Sequence, residues 1–182
     1  MTNLGDGLGA AVVGAAVGGD RSSVERLLAW VRPLAVRYCR ARLGRQEGSF
    51  ASADDVAQEV CLAVLTALPG YRRQERPFVA FVYGIAAQKV AARDRVAAVP
   101  DRPDMDTQPE QQATRNGLPA RMASLLRVLP ARYREILVLR LVVGLSADDT
   151  ADAVGSTPSA VRVIQHHALA MLRRALAAEE VV

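Results

Sequence analysis

The sequence predicts an all-α protein, two small helical domains joined by a flexible linker. Three observations carry that expectation. Of its 182 residues, 51% are hydrophobic but only 4% aromatic, a balance that favours helices over sheets, which lean on aromatic and β-branched side chains. Apolar residues recur at i, i+3, i+4 and i+7 through most of the chain, the period of a helix with one buried face. Residues 98–117 break that period with prolines, acids and glutamines and have almost nothing to bury, the composition of an extended tether. The resulting divisions are 1–19, a flexible N-terminus or weak helix; 20–97, a first domain; 98–117, the linker; and 118–178, a second domain.

In the first domain, residues 8–17 read as a weak Gly/Ala-rich helix that frays, broken by Gly18-Gly19. Asp20 or Ser22 can cap the next helix, with Ser22 and Glu25 forming a capping box. It runs to about Leu43, with Val24, Leu27, Leu28, Val31 and Leu34 inward. Pro33 should bend it by removing a backbone donor. Arg32, Arg37, Arg40, Arg42 and Arg45 give its second half a dense positive charge suited to phosphates. Ser52 and Asp55 open a further helix through an S-x-x-D box, with Val56, Val60, Ala63, Val64 and Ala67 on its core side and Pro69-Gly70 as its stop. Asp55, Gln58 and Glu59 share its outer edge. After Pro77 a helix runs from about Phe78 to Val96, with Phe78, Phe81 and Tyr83 followed by Lys89, Arg93 and Arg95. Aromatics followed by cations can stack unpaired bases and hold their phosphates. Phe78 reads as core; Phe81 and Tyr83 cannot both point the same way, so at least one is available to a ligand.

The second domain opens with Met122, Leu125, Leu126 and Leu129 at helical spacing, halted by Pro130. A helix from Arg132 to Val143 follows and ends at Gly144. Ser146 can then cap a short helix, with Asp149 three residues on, and Ala147, Ala151 and Val154 fall on one face. Gly155 supplies the left-handed residue that ends it. Thr157 is the next N-cap, and Pro158 occupies the first helical position, where its missing N–H costs nothing. Val161, Ile164, Ala168, Leu172 and Ala175 form the inward stripe of the last helix, leaving Ser159, Arg162, Val163, His166, His167 and Arg173 outside. This is a helix-turn-helix whose second helix can enter a major groove, with Arg162 able to donate two parallel bonds to guanine. No acid lies between Gly155 and Ala178 to repel phosphate.

The totals exclude several classes. The formal net charge is +4 and Lys89 is the only lysine, so the clustering of arginine matters more than the sum. Cys39 and Cys61 are too few for a disulfide framework and have no metal-ligand spacing, which makes a reducing cytoplasm the expected compartment. No apolar run approaches the ~20 residues of a membrane span, and no basic start precedes the apolar N-terminal segment as in a signal peptide, so direct membrane insertion is not expected. Asp54, Asp55 and Glu59 lack a histidine or further carboxylate at a useful spacing, so neither metal nor cofactor is expected. An enzyme using these acids with His166 and His167 would have its groups on different domains, with no activated nucleophile; no catalytic residue is assigned. The competing reading is a helix-turn-helix regulator that senses a ligand and acts without polymerase, which would need an apolar pocket in the first domain.

These residues also carry a family resemblance. Leu129-Pro130-x-Arg132-x-Arg134-Glu135-Ile136-Leu137-x-Leu139-Arg140, then Gly144-Leu145-Ser146, then Thr157-Pro158-Ser159-Ala160-Val161-Arg162, resembles region 4 of the extracytoplasmic-function (ECF, group IV) sigma factors of the sigma-70 family. Asp54-Asp55-Val56-x-Gln58-Glu59 is similar to region 2.2 of that family, and Phe78 through Ala86 to regions 2.3 and 2.4. The resemblance implies a promoter-specificity subunit of bacterial RNA polymerase. Asp55, Gln58 and Glu59 would then face the β′ clamp helices. Phe81, Tyr83, Gln88 and Lys89 would lie near the melted −10 strand, with Arg37, Arg40, Arg93 and Arg95 on phosphates. Thr157, Ser159, Arg162, Val163, His166 and His167 would meet the −35 duplex. Core RNA polymerase, including the β flap, promoter DNA and an anti-sigma factor are the implied partners. The chain departs from the family pattern in lacking a Trp near Phe81–Tyr83 and an Asp near Ala92, and in carrying Ile164-Gln165-His166-His167 where basic residues are common.

Overall fold

A computed structural model describes residues 9–43, 53–72, 75–97, 126 and 128–179. The linker 98–117, Arg45, the Ser52 cap and the expected helical turn at Met122 and Leu125 lie outside the described residues. Helices α1 (Ala10–Val17), α2 (Arg21–Leu43), α3 (Ala53–Ala67) and α4 (Phe78–Ala97) form the first domain. A 3-10 turn, Leu68–Gly70, follows α3 at the Pro-Gly stop. The second domain holds α5 (Ala131–Leu137), which widens into a π-helical stretch at Val138–Val143, then α6 (Ala147–Val154) and α7 (Pro158–Glu179). Among the described residues there is no strand.

In the first domain α2 is the spine. Leu27, Val31 and Leu34 are buried as their spacing requires, while Val24 and Leu28 are half-buried. Its N-cap is Asp20, whose Oδ2 accepts from the Ser23 N–H at 2.8 Å and from the Ser22 hydroxyl at 2.8 Å. Those bonds hold the Asp20 carboxyl below the usual aspartate range, the Ser23 bond first. Glu25 instead pairs with Arg21 one turn back, at 3.2 Å, so the Ser22–Glu25 box is not what starts the helix. Helix α2 continues through Pro33 without interruption. Helix α1 forms where a fraying helix is expected from composition, yet Val13 and Ala16 are buried on it. Packing against α2 supplies what its propensity lacks.

The second domain follows its sequence signals closely. Ser146 Oγ accepts from the Asp149 N–H at 3.0 Å and donates to the Asp149 carboxylate at 2.7 Å. Gly155 takes φ 63°, the left-handed region where a Cβ would be strained. Thr157 Oγ1 accepts from the Ala160 N–H at 3.2 Å, and Pro158 is the first residue of α7. The helix that precedes them departs from expectation in its last turns. Gly144, at φ 88°, and Leu145 both donate to the Leu139 carbonyl, at 3.0 and 2.9 Å. Those bonds reach five and six residues back, and they close a wider coil than the α-helix drawn to Val143 from spacing. The wider coil turns Val138, Leu139 and Val143 toward the first domain and leaves Leu141 and Val142 exposed.

That turn joins the domains. Val138, Leu139, Val143 and Leu145 belong to the same hydrophobic cluster as the α2, α3 and α4 core, and α6 packs on α4. Ser146→Ala should cost about 1 kcal/mol of unfolding free energy through the lost cap. Urea denaturation of the variant and the parent chain measures it.

Candidate functional site

The surface of α7 is sorted by its period. Val161 and Ala168 are fully buried, with Ile164, Leu172 and Ala175 half-buried beside them. Ser159, Arg162, Val163, His166, His167 and Arg173 are exposed together with Thr157. The 3.6-residue repeat places 159, 162–163 and 166–167 on one side of the helix. Val163, at 51% exposure, is an apolar contact point in that row. Arg162 lies 3.8 Å from Asp148 on α6, with both side chains more than 60% exposed, so solvent screens the pair and the guanidinium can exchange partners. Behind the face, Arg140 donates to Gln165 Oε1 at 2.9 Å and to the Leu145 carbonyl. One arginine thereby ties the turn before α6 to the middle of α7.

The first domain presents two adjoining surfaces. Asp55, Gln58 and Glu59 are all exposed on the outer edge of α3, with Leu62, 57% exposed, one turn further on. Glu59 meets Lys89 of α4 at 3.3 Å, so the acidic edge and the cationic half of α4 touch. Gln88 and Arg95 are exposed, and Arg93 is half-buried. On α2, Arg37 is exposed and Arg40 forms a two-pronged pair with Asp54 at 2.8 and 2.7 Å. The Arg40 bond holds the Asp54 carboxyl below its usual range, and Asp54 in turn raises Arg40.

The aromatic residues divide differently from expectation. Phe81 is 3% exposed, packed on Tyr71 at 5.0 Å and Phe78 at 5.7 Å between ring centres, with the Arg76 guanidinium 4.9 Å over its ring. It is a core residue and its ring is not offered to a strand. Phe78, read as core, is half-buried at the edge of the same cluster, 6.0 Å from Trp30. Tyr83 is also half-buried, and its hydroxyl donates to Glu135 at 3.0 Å. Sequence spacing missed the meeting of Glu135 with Tyr38 at 2.8 Å and with Arg42 at 3.4 Å, because those contacts join residues about 50 to 100 positions apart; Arg42, expected among the arginines suited to phosphates, is turned inward to this acid instead. Burial, and then the charge of Glu135, raise both tyrosine pKa values.

Among the described residues no group of three His, Cys, Asp or Glu converges as a metal site. Burial pushes the Cys39 thiol up to about 12 and raises Cys61 as well, the opposite of an activated nucleophile. An apolar cavity of about 30 Å³ lies between the domains, lined by Leu34, Val82, Leu139 and Val143 among others. It is about a tenth the size of the smallest ordinary ligand pockets. No helix among the described residues is long and apolar enough to cross a membrane.

Comparison with known proteins matches this geometry. Sigma-70 region 2 matches residues 24–96 and Sigma-70, region 4 matches residues 120–172. The chain belongs to the ECF RNA polymerase sigma factors. It is 55% identical to the ECF RNA polymerase sigma factor SigD of Mycobacterium tuberculosis over 182 residues, covering 95% of this chain and 85% of that protein. It is 47% identical to ShbA, an ECF sigma factor of Streptomyces griseus, covering 90% and 92%. Among solved structures it is similar to CnrH in complex with the cytosolic domain of CnrY, with TM-score 0.67, 26% identity, and coverage of 92% of this chain and 96% of that one. Regions 2 and 4 recognise −10 and −35 promoter elements, and sigma factors in general are not enzymes. The ligand-sensing regulator is not favoured.

Native protein at pH 7 should leave Cys39 unlabelled by a maleimide over an hour, with Cys61 slow. Both should label fully in 6 M guanidinium, a contrast that mass spectrometry reads.

Proposed function

We propose that this sigma factor meets polymerase through the exposed edge Asp55, Gln58 and Glu59 of α3, and reads the −35 duplex through the outward face of α7. The observation that carries the second assignment is the single row of Ser159, Arg162, Val163, His166 and His167, exposed above a buried stripe. Arg162 can take guanine bidentately, Val163 can meet a thymine methyl, and Ser159 and the histidines can bond bases or phosphates. Thr157, at the N-terminus of α7, sits where helix N–H groups favour a phosphate. Along α3, carboxylate and amide acceptors on an exposed edge suit a basic helical partner through charge-assisted bonds.

For the −10 strand the supporting set is Tyr83, Gln88 and Lys89, with Arg93, Arg95, Arg37 and Arg40 on phosphates; burial removes Phe81 from it. Lys89 and Arg40 carry carboxylate partners in the free protein and would trade them for phosphate. The domain limits 20–97 and 118–178, with 98–117 threading between them through polymerase, follow from this division of labour. The β flap as the docking point of the second domain, and an anti-sigma protein as regulator, extend the same reading. The complex of the similar protein CnrH with a cytosolic domain supports the regulator. Work on promoter DNA places the protein in the cytoplasm.

Reconstituted with core polymerase, the protein should initiate at a restricted promoter set; core that stays silent on all promoters contradicts the assignment. Gln58→Ala with Glu59→Ala should weaken core binding while leaving circular dichroism unchanged, and equal affinity in a competition assay would remove α3 as the contact. Arg162→Ala should cost about 1–3 kcal/mol of discrimination at one −35 position. A uniform loss across promoter variants would make it a phosphate contact instead.

A further inference from the structure

An acid borders the outward row of α7, where phosphates would approach. Asp148 lies in the first turn of α6, and its Oδ2 is 3.8 Å from Nη2 of Arg162, with the two side chains 64% and 62% exposed. The cap of α6 does not need this carboxylate. Ser146 and Asp149 close the cap between them, the Asp149 N–H donating to Ser146 Oγ at 3.0 Å and the Ser146 hydroxyl to the Asp149 carboxylate at 2.7 Å. Asp149 is buried in that role, whereas Asp148 is exposed. A second acid near a helix N-terminus adds a small dipole term. Beside a surface that meets DNA it also repels phosphate. Its place opposite Arg162 is what offsets that repulsion.

The backbone of α7 is already fixed at this point. Val161 is fully buried, and Gln165, three residues beyond Arg162, accepts from Arg140 at 2.9 Å. What the helix leaves unset is the direction of the Arg162 side chain, a long stem over an open face. No acid lies between Gly155 and Ala178 to direct it from its own helix, so the charge that faces it comes from α6. At 3.8 Å the contact is an ion pair and not a hydrogen bond, and it takes up none of the five guanidinium N–H donors. Two of those donors can go to guanine O6 and N7 while the carboxylate stays alongside. A phosphate asks for something different. To reach one, Arg162 must leave Asp148 unpaired in front of the DNA backbone. In the free chain water screens the pair and the exchange is easy. Once duplex covers the face that water leaves, and the same charges interact more strongly.

We propose that Asp148 is a positioning residue for base reading: it aims Arg162 at a guanine edge of the −35 duplex and withholds it from the flanking phosphates. The proposal rests on the assignment of the outward row of α7 given above.

The test uses holoenzyme assembled from the full chain and core polymerase, on promoters in which each base pair of the −35 element is varied in turn, with competition binding as the readout. Arg162→Ala locates the base pair that Arg162 reads. Asp148→Asn keeps the shape and removes the charge. It should lower discrimination at that same base pair by about three- to fivefold, because promoters with other bases there bind more tightly. Asp148→Glu, which keeps the charge, should hold most of the discrimination. In an Arg162→Ala background Asp148→Asn should remove nothing further at that base pair, as expected of a group that acts through Arg162. Unchanged discrimination in Asp148→Asn with native circular dichroism overturns the positioning role. So does a loss spread evenly over all promoters, a loss at a different base pair, or an equal loss in Asp148→Glu. An even loss in Arg162→Ala overturns base reading by Arg162 and the role of Asp148 together. A loss confined to one base pair in Arg162→Ala, with Asp148→Asn unchanged, overturns the role of Asp148 alone.

Discussion

Four consecutive residues, Ile136 to Leu139, are each no more than 2% exposed, and they tie the molecule together. No amphipathic surface helix buries four side chains in a row, since a single stripe covers only part of each turn. Here the run is surrounded on every side. Ile136 packs with Ala147, Ala151 and Val161 under the helix-turn-helix. Leu137 packs with Leu129 and Ala168 beneath the middle of α7. Val138 and Leu139 belong to the first domain's cluster. One short segment thus fixes the angle of the reading helix and the position of the seam together, and the π-helical widening that begins within it at Val138 turns Val138 and Leu139 toward a different neighbour from Ile136 and Leu137.

The polar chemistry is distributed to match. Most groups assigned to recognition are exposed, with Tyr83, Lys89 and Arg93 half-buried, and three of them form surface pairs, Arg162 with Asp148, Lys89 with Glu59 and Arg40 with Asp54. Such pairs are worth little in water, so a phosphate or a partner's charge can replace either member at small cost. The Glu135 set is the exception: its shielded carboxylate takes two tyrosine hydroxyls and lies beside Arg42, whose buried Nε has no hydrogen-bond partner, and of its members only Tyr83 belongs to a surface assigned to recognition. Weak exposed pairs suit surfaces that must change partners; a shielded one suits a contact that should be either fully made or fully broken.

Most of the local structure was legible from residue types alone. Ser146 with Asp149, Gly155, and Thr157 with Pro158 each specify a helix boundary by a mechanism confined to a few neighbouring residues, and each is found where those residues place it. The outward row of α7 follows from period alone. Sequence reasoning went astray where the deciding term was tertiary. Phe81 and Phe78 have similar chemistry, and only the positions of Tyr71 and Arg76 decide that Phe81 goes inside. Helix α1 has poor propensity and survives on two buried side chains. Glu135 is one acid among many until the fold brings Tyr38, Tyr83 and Arg42 to it, and no local pattern announces that meeting. The residues matched to sigma-70 region 2 and region 4 were recognisable as motifs, but their mutual docking was not, because a motif records what each domain does and not how two domains rest against each other.

The central claim is that two surfaces on separable domains address two distant promoter elements. Photo-crosslinking from position 88 on α4 and from position 163 on α7, within one holoenzyme on one promoter, tests it most directly. The account predicts crosslinks from 163 to duplex DNA near −35 and from 88 to the single strand near −10 in the same complex. Crosslinks from both positions to one short segment of DNA would contradict it.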